Sequence, residues 1–142
     1  MKTEANVRQA VPLFTVSSME EAVRFYVDGV GFEMTQKWMD EGTLRWCSLR
    51  HGEAALMLQQ MKREGHDSWV PEGKVGEGVT IYFICEDALA IYREIRSRGI
   101  AASRPFVGNG MWVTRLSDPD GYQISFESKT DAAEGTEYSE VG

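Results

Sequence analysis

Three side chains of the types used in acid–base chemistry, Tyr82, Arg115 and Glu127, fall on three different predicted strands. Successive side chains of a strand point to opposite faces, and this parity places all three on one face of a sheet. There a glutamate could act as a general base, an arginine could stabilise negative charge and a tyrosine could donate a proton. A Glu–Arg pair on neighbouring strands is more often a structural ion pair, so both interpretations stay open.

Metal and thiol chemistry have few candidate residues in this chain. The only histidines are His51, in a predicted hairpin turn, and His66, in a predicted linker, and neither has a second ligand at metal-binding spacing. Cys47 and Cys85 lie in apolar runs without a Cys-x-x-Cys motif. We therefore expect two surface histidines and two buried free thiols.

Aromatic residues are the more promising candidates for binding. Trp38, Trp46, Tyr82 and Trp112 could stack on a ligand, although Trp112 could equally belong to the core. Trp69 lies in the predicted linker and could simply cover the edge of the sheet. The full predicted ligand-binding set is Trp38, Trp46, Met57, Gln59, Tyr82, Arg115, Ser125 and Glu127.

The first set of elements that must position these residues is predicted over residues 10–60. Residues 10–16 form an apolar strand in which Pro12 favours an edge or exchanged position. Ser18 and Glu21 make a capping box that starts a helix, which ends near Gly29 and Gly31. Three strands follow, at 33–39, 43–50 and 54–60, and residues 61–78 form a glycine-rich linker.

The second half repeats this order over residues 79–128. A strand at 79–85 is followed by a helix with Glu86 and Asp87 at its start and Gly99 at its end. Three more strands are predicted at about 101–106, 111–117 and 122–128, the last two flanking an Asp-Pro-Asp-Gly turn. The chain is thus predicted to be one domain of residues 1–142, and residues 129–142 form an acidic tail.

The predicted strands share one pattern of alternation. One face of each is bulky and apolar, as with Ile124 and Phe126, and the other is mixed, as with Gln123, Ser125 and Glu127. The apolar faces should meet the helices and the mixed faces should form a concave surface. Such a surface can be a ligand pocket, a wet face or a contact with a partner subunit.

The charge and hydropathy of the chain limit the classes of partner that it is expected to bind. Its formal net charge is −7, which argues against nucleic acid and favours cationic small molecules. Part of this charge lies in the tail, which carries Asp131, Glu134, Glu137 and Glu140 and which we expect to be mobile. No apolar run suits a signal peptide or a membrane span, so we expect no membrane partner and a cytoplasmic location.

Two motifs resemble the vicinal oxygen chelate superfamily of glyoxalases, bleomycin-resistance proteins and extradiol dioxygenases. They are the strand, capped helix and Gly31-Phe32 of residues 10–34, and the Asp-Pro-Asp-Gly turn and strand of residues 115–128. The resemblance covers about residues 8–128. It implies an α+β fold in which two βαβββ modules form a curved mixed sheet with helices on its outer face, and a dimer.

The resemblance also implies where a metal would bind. Metal-dependent members place one ligand on each of four inward strands, and these positions correspond to Val11, Met57, Thr80 and Ser125. None of these residues is a usual ligand for a divalent cation. The chain is therefore most similar to the metal-free bleomycin-resistance type, with no cofactor.

Three functions follow from the resemblance. The first is sequestration of a drug or metabolite, cationic or aromatic, by a homodimer that exchanges its first strand and confers antibiotic resistance. The second is a metal-dependent lyase, isomerase or dioxygenase of the same superfamily. The third is a metal-free enzyme that uses Glu127, Arg115 and Tyr82.

Overall fold

The fold contains two four-stranded mixed sheets and two helical segments, as seen in a computed structural model that describes residues 6–65 and 68–139. The first module consists of β1 (Leu13–Val16), α1 (Met19–Val23), which continues as a π-helical segment (Arg24–Val30), β2 (Glu33–Asp40), β3 (Thr43–His51) and β4 (Ala54–Gln60). The second consists of β5 (Thr80–Ile84), α2 (Ala88–Ser97), β6 (Phe106–Gly108), β7 (Met111–Ser117) and β8 (Gln123–Lys129). The predicted α+β fold of two βαβββ modules is confirmed, with the strands divided between two sheets.

The two sheets have the same topology. Their strand orders are β1-β4-β3-β2 and β5-β8-β7-β6, with the first pair parallel and the others antiparallel. Strand β1 is therefore an edge strand that pairs with β4 of its own chain, and Pro12 lies just before it. This position suits a residue that cannot donate to a ladder.

Both helices begin where they are predicted to begin, and each has a side-chain cap. The Ser18 hydroxyl accepts a hydrogen bond from the backbone N–H of Glu21, and the Asp87 carboxylate accepts one from Ala90. The first helical run continues past Gly29 and ends at Gly31, whose φ of 104° is the left-handed geometry that glycine favours. The backbone of Gly29 lies so close to Ile100 that an added Cβ would be 2.7 Å from the Ile100 Cδ1.

The strand predicted at 101–106 is wrong, because β6 is a short strand at Phe106–Gly108. The reason is the Asn109-Gly110 pair, which has φ of 53° and 76° and forms a two-residue hairpin turn between Gly108 and Met111. The turn fixes the register of β6 on β7, and Pro105 precedes the strand. The segment from 101 to 105 is irregular.

The two modules share one hydrophobic cluster, to which the apolar strand faces contribute as predicted. Phe14 of β1 stacks on Tyr122 with ring centroids 4.0 Å apart and planes 4° apart. Leu56, Leu58, Ile124 and Phe126 are all buried. Burial of these residues between sheets and helices supplies the main driving force for the fold.

The described part of the acidic tail packs against the second module. The backbone N–H of Val107 donates to the Thr136 carbonyl and that of Gly135 donates to the Val107 carbonyl, both at 2.9 Å. Tyr138 packs edge-on against Tyr92 and Trp112. The expectation of a mobile tail is therefore wrong for residues 130–139, because they cover the exposed edge of β6.

Candidate functional site

Register across the first sheet brings a row of predicted site residues together. Thr15 pairs with Gln59, Gln59 with Trp46, and Trp46 with Trp38, so their side chains share the face away from the helices. Met57 lies two residues along β4 on the same face, paired with Leu13 and Ser48. Trp38 is 57% exposed and Trp46 is half-buried.

A pocket of about 330 Å³ opens on this face. Trp38, Trp46 and Gln59 of the predicted ligand-binding set line it. Its wall also contains residues that sequence reasoning missed: Asp40, Arg45, Gln60, Lys62 and Trp69. The volume falls at the lower end of the range typical of small-molecule sites.

Trp69 reaches the pocket because the linker folds back on the end of β4. The backbone N–H of Trp69 donates to the Lys62 carbonyl at 2.7 Å, and the two residues form an antiparallel bridge. A tryptophan in a glycine-rich segment was the only sequence signal for this contact. A bridge of this kind depends on long-range geometry that residue types do not specify.

Arg45 owes its place to a β-bulge. Trp38 pairs with Trp46 but Met39 pairs with Leu44, so Arg45 is an extra residue on β3 without a partner opposite it. Bulges redirect side chains, and Arg45 lines the pocket beside Trp46, its neighbour in sequence. Simple alternation would have sent these two residues to opposite faces.

The remaining predicted residues lie together on the second sheet. Tyr82 pairs with Ser125, and Ser125 pairs with Arg115, so these three side chains share one face. Glu127 is on the same face, two residues along β8 from Ser125 and paired with Ile84 and Val113. The predicted set is thus divided between two sheets.

The second group contains an unusual hydroxyl. Ser125 is fully buried, and its Oγ makes no hydrogen bond within the described residues. Leaving a buried hydroxyl unpaired costs about 1–3 kcal/mol, which makes such a group a candidate for contact with a ligand or partner. Tyr82, beside it, is 52% exposed.

Arg115 and Glu127 do not form an ion pair in the part of the chain that the structure describes. The Arg115 guanidinium instead lies over the Phe106 ring, 5.3 Å from its centroid. Glu127 is half-buried and Arg115 is exposed. Glu127, Arg115 and Tyr82 thus share a face of the second sheet, and the carboxylate and the guanidinium are not paired with each other.

Trp112 belongs to the opposite face of the second sheet. It pairs with Ser128, whose hydroxyl accepts a hydrogen bond from the Ala88 N–H at the start of α2. Its ring contacts Tyr138. Of the two positions that the sequence left open, Trp112 takes the one on the helix side.

The donor chemistry near the four family positions does not suit a divalent metal. Met57, Thr80 and Ser125 offer a thioether and two neutral hydroxyls, and Val11 offers none. No group of three or more His, Cys, Asp or Glu residues within 6–65 and 68–139 could together hold a metal ion. His51 is exposed and packs edge-on against Phe32, and His66 is outside the described residues.

The thiols have no feature of reactive cysteines. Cys47 is buried and Cys85 half-buried, and both are free. Burial raises the pKa of Cys47 to about 11 and raises that of Cys85 as well. Both thiols therefore stay protonated at neutral pH, the form that is a poor nucleophile.

The fold of two βαβββ modules agrees with the family to which the sequence belongs. The sequence profile of the glyoxalase/bleomycin resistance protein/dioxygenase superfamily matches residues 8–126, so the chain belongs to that superfamily. No curated protein sequence matches the chain at a significant level.

Solved structures share this fold at low identity. An antibiotic-binding protein from Streptomyces sp. CB03234 is 24% identical, with a TM-score of 0.65 over 89% of this chain and 100% of that one. A bleomycin-binding protein complexed with bleomycin is 19% identical, with a TM-score of 0.64 over 87% and 100%. A glyoxalase family protein from Bacillus anthracis is 18% identical, with a TM-score of 0.65 over 89% and 100%.

Proposed function

We propose that this protein binds a small molecule with an aromatic ring system, without a metal, and acts by sequestering it. The observation that supports this most directly is the pocket lined by Trp38, Trp46 and Trp69. Each indole offers a flat apolar face that can stack on a planar ligand. Large aromatic side chains left exposed on a soluble protein are typical of binding surfaces.

The proposal of a metal-free site rests on the side chains themselves. Thioether and hydroxyl groups replace the imidazoles and carboxylates that a divalent cation needs at the family positions. Affinity would then come from stacking and from polar contacts at the rim. Two of the similar structures are described as antibiotic-binding and bleomycin-binding proteins, which agrees with such a role.

We further propose that a second copy of the chain completes the site. The face away from the helices leaves apolar side chains exposed on both sheets: Leu13, Trp38, Tyr82 and Ile84. A homodimer that covers these faces would bring the pocket on the first sheet of one chain toward Ser125 on the second sheet of its partner. Exchange of β1 remains a prediction, since β1 pairs with its own β4 in a single chain.

The cytoplasm is the compartment we propose, because both cysteines are free and disulfides are rare there. No helix among the described residues is long and apolar enough to cross a bilayer.

Fluorescence titration tests the binding function. We expect the neutral planar compound anthraquinone-2-carboxamide to quench tryptophan emission at micromolar concentration with a defined stoichiometry. Trp46→Ala should weaken binding about tenfold or more, because one stacked ring contributes roughly 1–3 kcal/mol. Trp112→Phe, on the opposite face, is the matched control. The absence of quenching by this compound would overturn the proposal.

The dimer is tested separately by light scattering after gel filtration. Ile84 is 69% exposed on the proposed contact face, and Ile84→Glu should convert a dimer into a monomer. A wild-type chain that stays monomeric at 100 µM would contradict the proposed assembly.

A further inference from the structure

The polar groups around the tryptophan pocket are mostly hydrogen-bond donors. Arg45 and Lys62 supply two cations, and Asp40 is the one acid in the lining. This balance is opposite in sign to the net charge of −7 of the whole chain. The total charge of the chain therefore does not report the character of this pocket.

These donors have no partner in the fold. Arg45 and Lys62 are both half-buried, and neither forms an ion pair or a side-chain hydrogen bond with another residue of 6–65 and 68–139. Their charged ends are therefore available to pair with an anionic group of a ligand.

The indole groups add to the excess of donors. None of Trp38, Trp46 and Trp69 donates its N–H to another residue within the described ranges. Trp46 is half-buried, and an indole N–H that is partly buried usually finds an acceptor, whereas Trp38 and Trp69 are exposed. The side-chain amide of Gln59, which also makes no hydrogen bond within the described chain, offers both a donor and an acceptor.

From these observations we propose that the ligand of the Trp38–Trp46–Trp69 pocket is an aromatic molecule that carries an anionic group, such as an aryl carboxylate or a phenolate. The inference rests on the proposed binding function and specifies its substrate class. The rings would stack on the indoles while Arg45 and Lys62 pair with the anion.

A cationic aromatic ligand is the main alternative, because indole rings attract cations. Arg45 and Lys62 argue against it, since a third positive charge in the same pocket would meet two half-buried ones and only Asp40 in return. The sequence alone favoured a cationic ligand because it showed only the total charge.

Three probes of one shape separate these possibilities in calorimetric titrations of the full chain: 2-naphthoate, 2-naphthamide and 2-naphthylmethylammonium. We expect 2-naphthoate to bind at least about fivefold more tightly than either of the others. Arg45→Gln and Lys62→Gln should each weaken 2-naphthoate about threefold to tenfold and leave 2-naphthamide unchanged, because a partly exposed ion pair contributes modestly. Asp40→Asn should strengthen 2-naphthoate.

The outcomes distinguish a failure of the anionic ligand class from a failure of the aromatic binding function. Tighter binding of the ammonium or the amide than of 2-naphthoate would overturn the anionic ligand class and leave the aromatic binding function standing. Equal losses of 2-naphthoate and 2-naphthamide binding in Arg45→Gln would also overturn it, because the arginine would then act only through packing. Failure of all three probes to bind would overturn the aromatic pocket itself and the ligand class with it.

Discussion

The hydroxyl of Tyr26 donates a 2.8 Å hydrogen bond to Oδ2 of Asp118, and this bond joins the helix of the first module to a turn of the second. The other carboxylate oxygen, Oδ1, accepts from the backbone N–H groups of Asp120 and Tyr122, both at 2.9 Å. Tyr26 is fully buried and Asp118 is 5% exposed. The Asp-Pro-Asp-Gly motif therefore both turns the chain and ties the modules together.

Tyr26→Phe should destabilise the fold by about 1.5–3 kcal/mol, because it leaves one oxygen of a buried carboxylate without its donor. Tyr122→Phe is the matched control. The Tyr122 hydroxyl donates to the Thr15 carbonyl at 2.9 Å, and loss of a bond to this neutral acceptor should cost only about 0.5–1.5 kcal/mol. Urea unfolding measures both, and a larger loss in Tyr122→Phe would contradict the stated role of Asp118.

Asp118 should stabilise the folded protein more at acid pH than at neutral pH, which is opposite to the usual effect of a carboxylate in a folded protein. Burial raises the pKa of this carboxyl above its ordinary value, although its hydrogen bonds with Tyr26, Tyr122 and Asp120 lower it. The folded state therefore takes up the proton at a higher pH than the unfolded state. The stabilisation that results is complete below the unfolded pKa and is lost as pH rises through the folded pKa.

Urea unfolding of wild type and Asp118→Asn between pH 7 and pH 4 measures this contribution. The free energy of unfolding of wild type minus that of the variant should increase as pH falls, by at most about 1.4 kcal/mol per pH unit for one proton. A constant difference, or one that decreases toward acid pH, would show that the folded pKa of Asp118 is not raised.

Gly29→Ala should destabilise the protein by about 1–3 kcal/mol through overpacking. The new Cβ would lie 2.7 Å from Cδ1 and 2.8 Å from Cγ1 of Ile100. In an Ile100→Ala background both atoms are absent, and there alanine should be neutral or stabilising by up to about 1 kcal/mol relative to glycine in a helical segment. A double-mutant cycle by thermal unfolding tests this, and additive losses would exclude the contact with Ile100 as the cause.

Removal of residues 131–142 should expose the edge of β6 and cause self-association. The truncated chain loses the hydrogen bonds of Val107, Gly135 and Tyr138 with their partners across this edge. Unpaired strand edges are templates for aggregation. Gel filtration at rising concentration should show species larger than those of the full chain.

Tyr138→Ala is the control for the truncation. This variant keeps the backbone pairing and loses the ring packed on Tyr92 and Trp112 and the exposed hydrogen bond that Arg93 donates to the Tyr138 hydroxyl at 3.5 Å. It should be destabilised by about 1–2 kcal/mol without larger assemblies. Self-association of Tyr138→Ala to the same extent would show that the side chain, rather than the paired edge, prevents aggregation.

Local signals in the sequence determined most of the fold. Ser18 and Asp87 mark the helix starts because their side chains accept hydrogen bonds from the first turn of a helix, and both act as caps. Alternation along the strands placed Phe14, Leu58 and Ile124 in the core, because a strand has a period of two. These rules involve neighbours in the chain, so residue types and spacing are sufficient.

The tertiary structure decided the composition of the candidate site. Trp38, Trp46 and Gln59 were predicted and do line one pocket, but Tyr82, Arg115, Ser125 and Glu127 lie on the second sheet. Trp69 joins the pocket through a bridge to Lys62, and Arg45 joins it through a bulge. Each of these contacts depends on register, a bulge or the path of a linker, which are set by packing over long sequence distances.

The sequence by itself thus determined the order of the elements, their caps and the face that each strand buries, because these follow from local hydrogen bonding and periodicity. Only the tertiary structure decided that the acidic tail pairs with β6 and that two cations and three indoles surround one pocket. Those features depend on which distant segments meet in space, and a net charge of −7 summed along the chain cannot show where each charge lies.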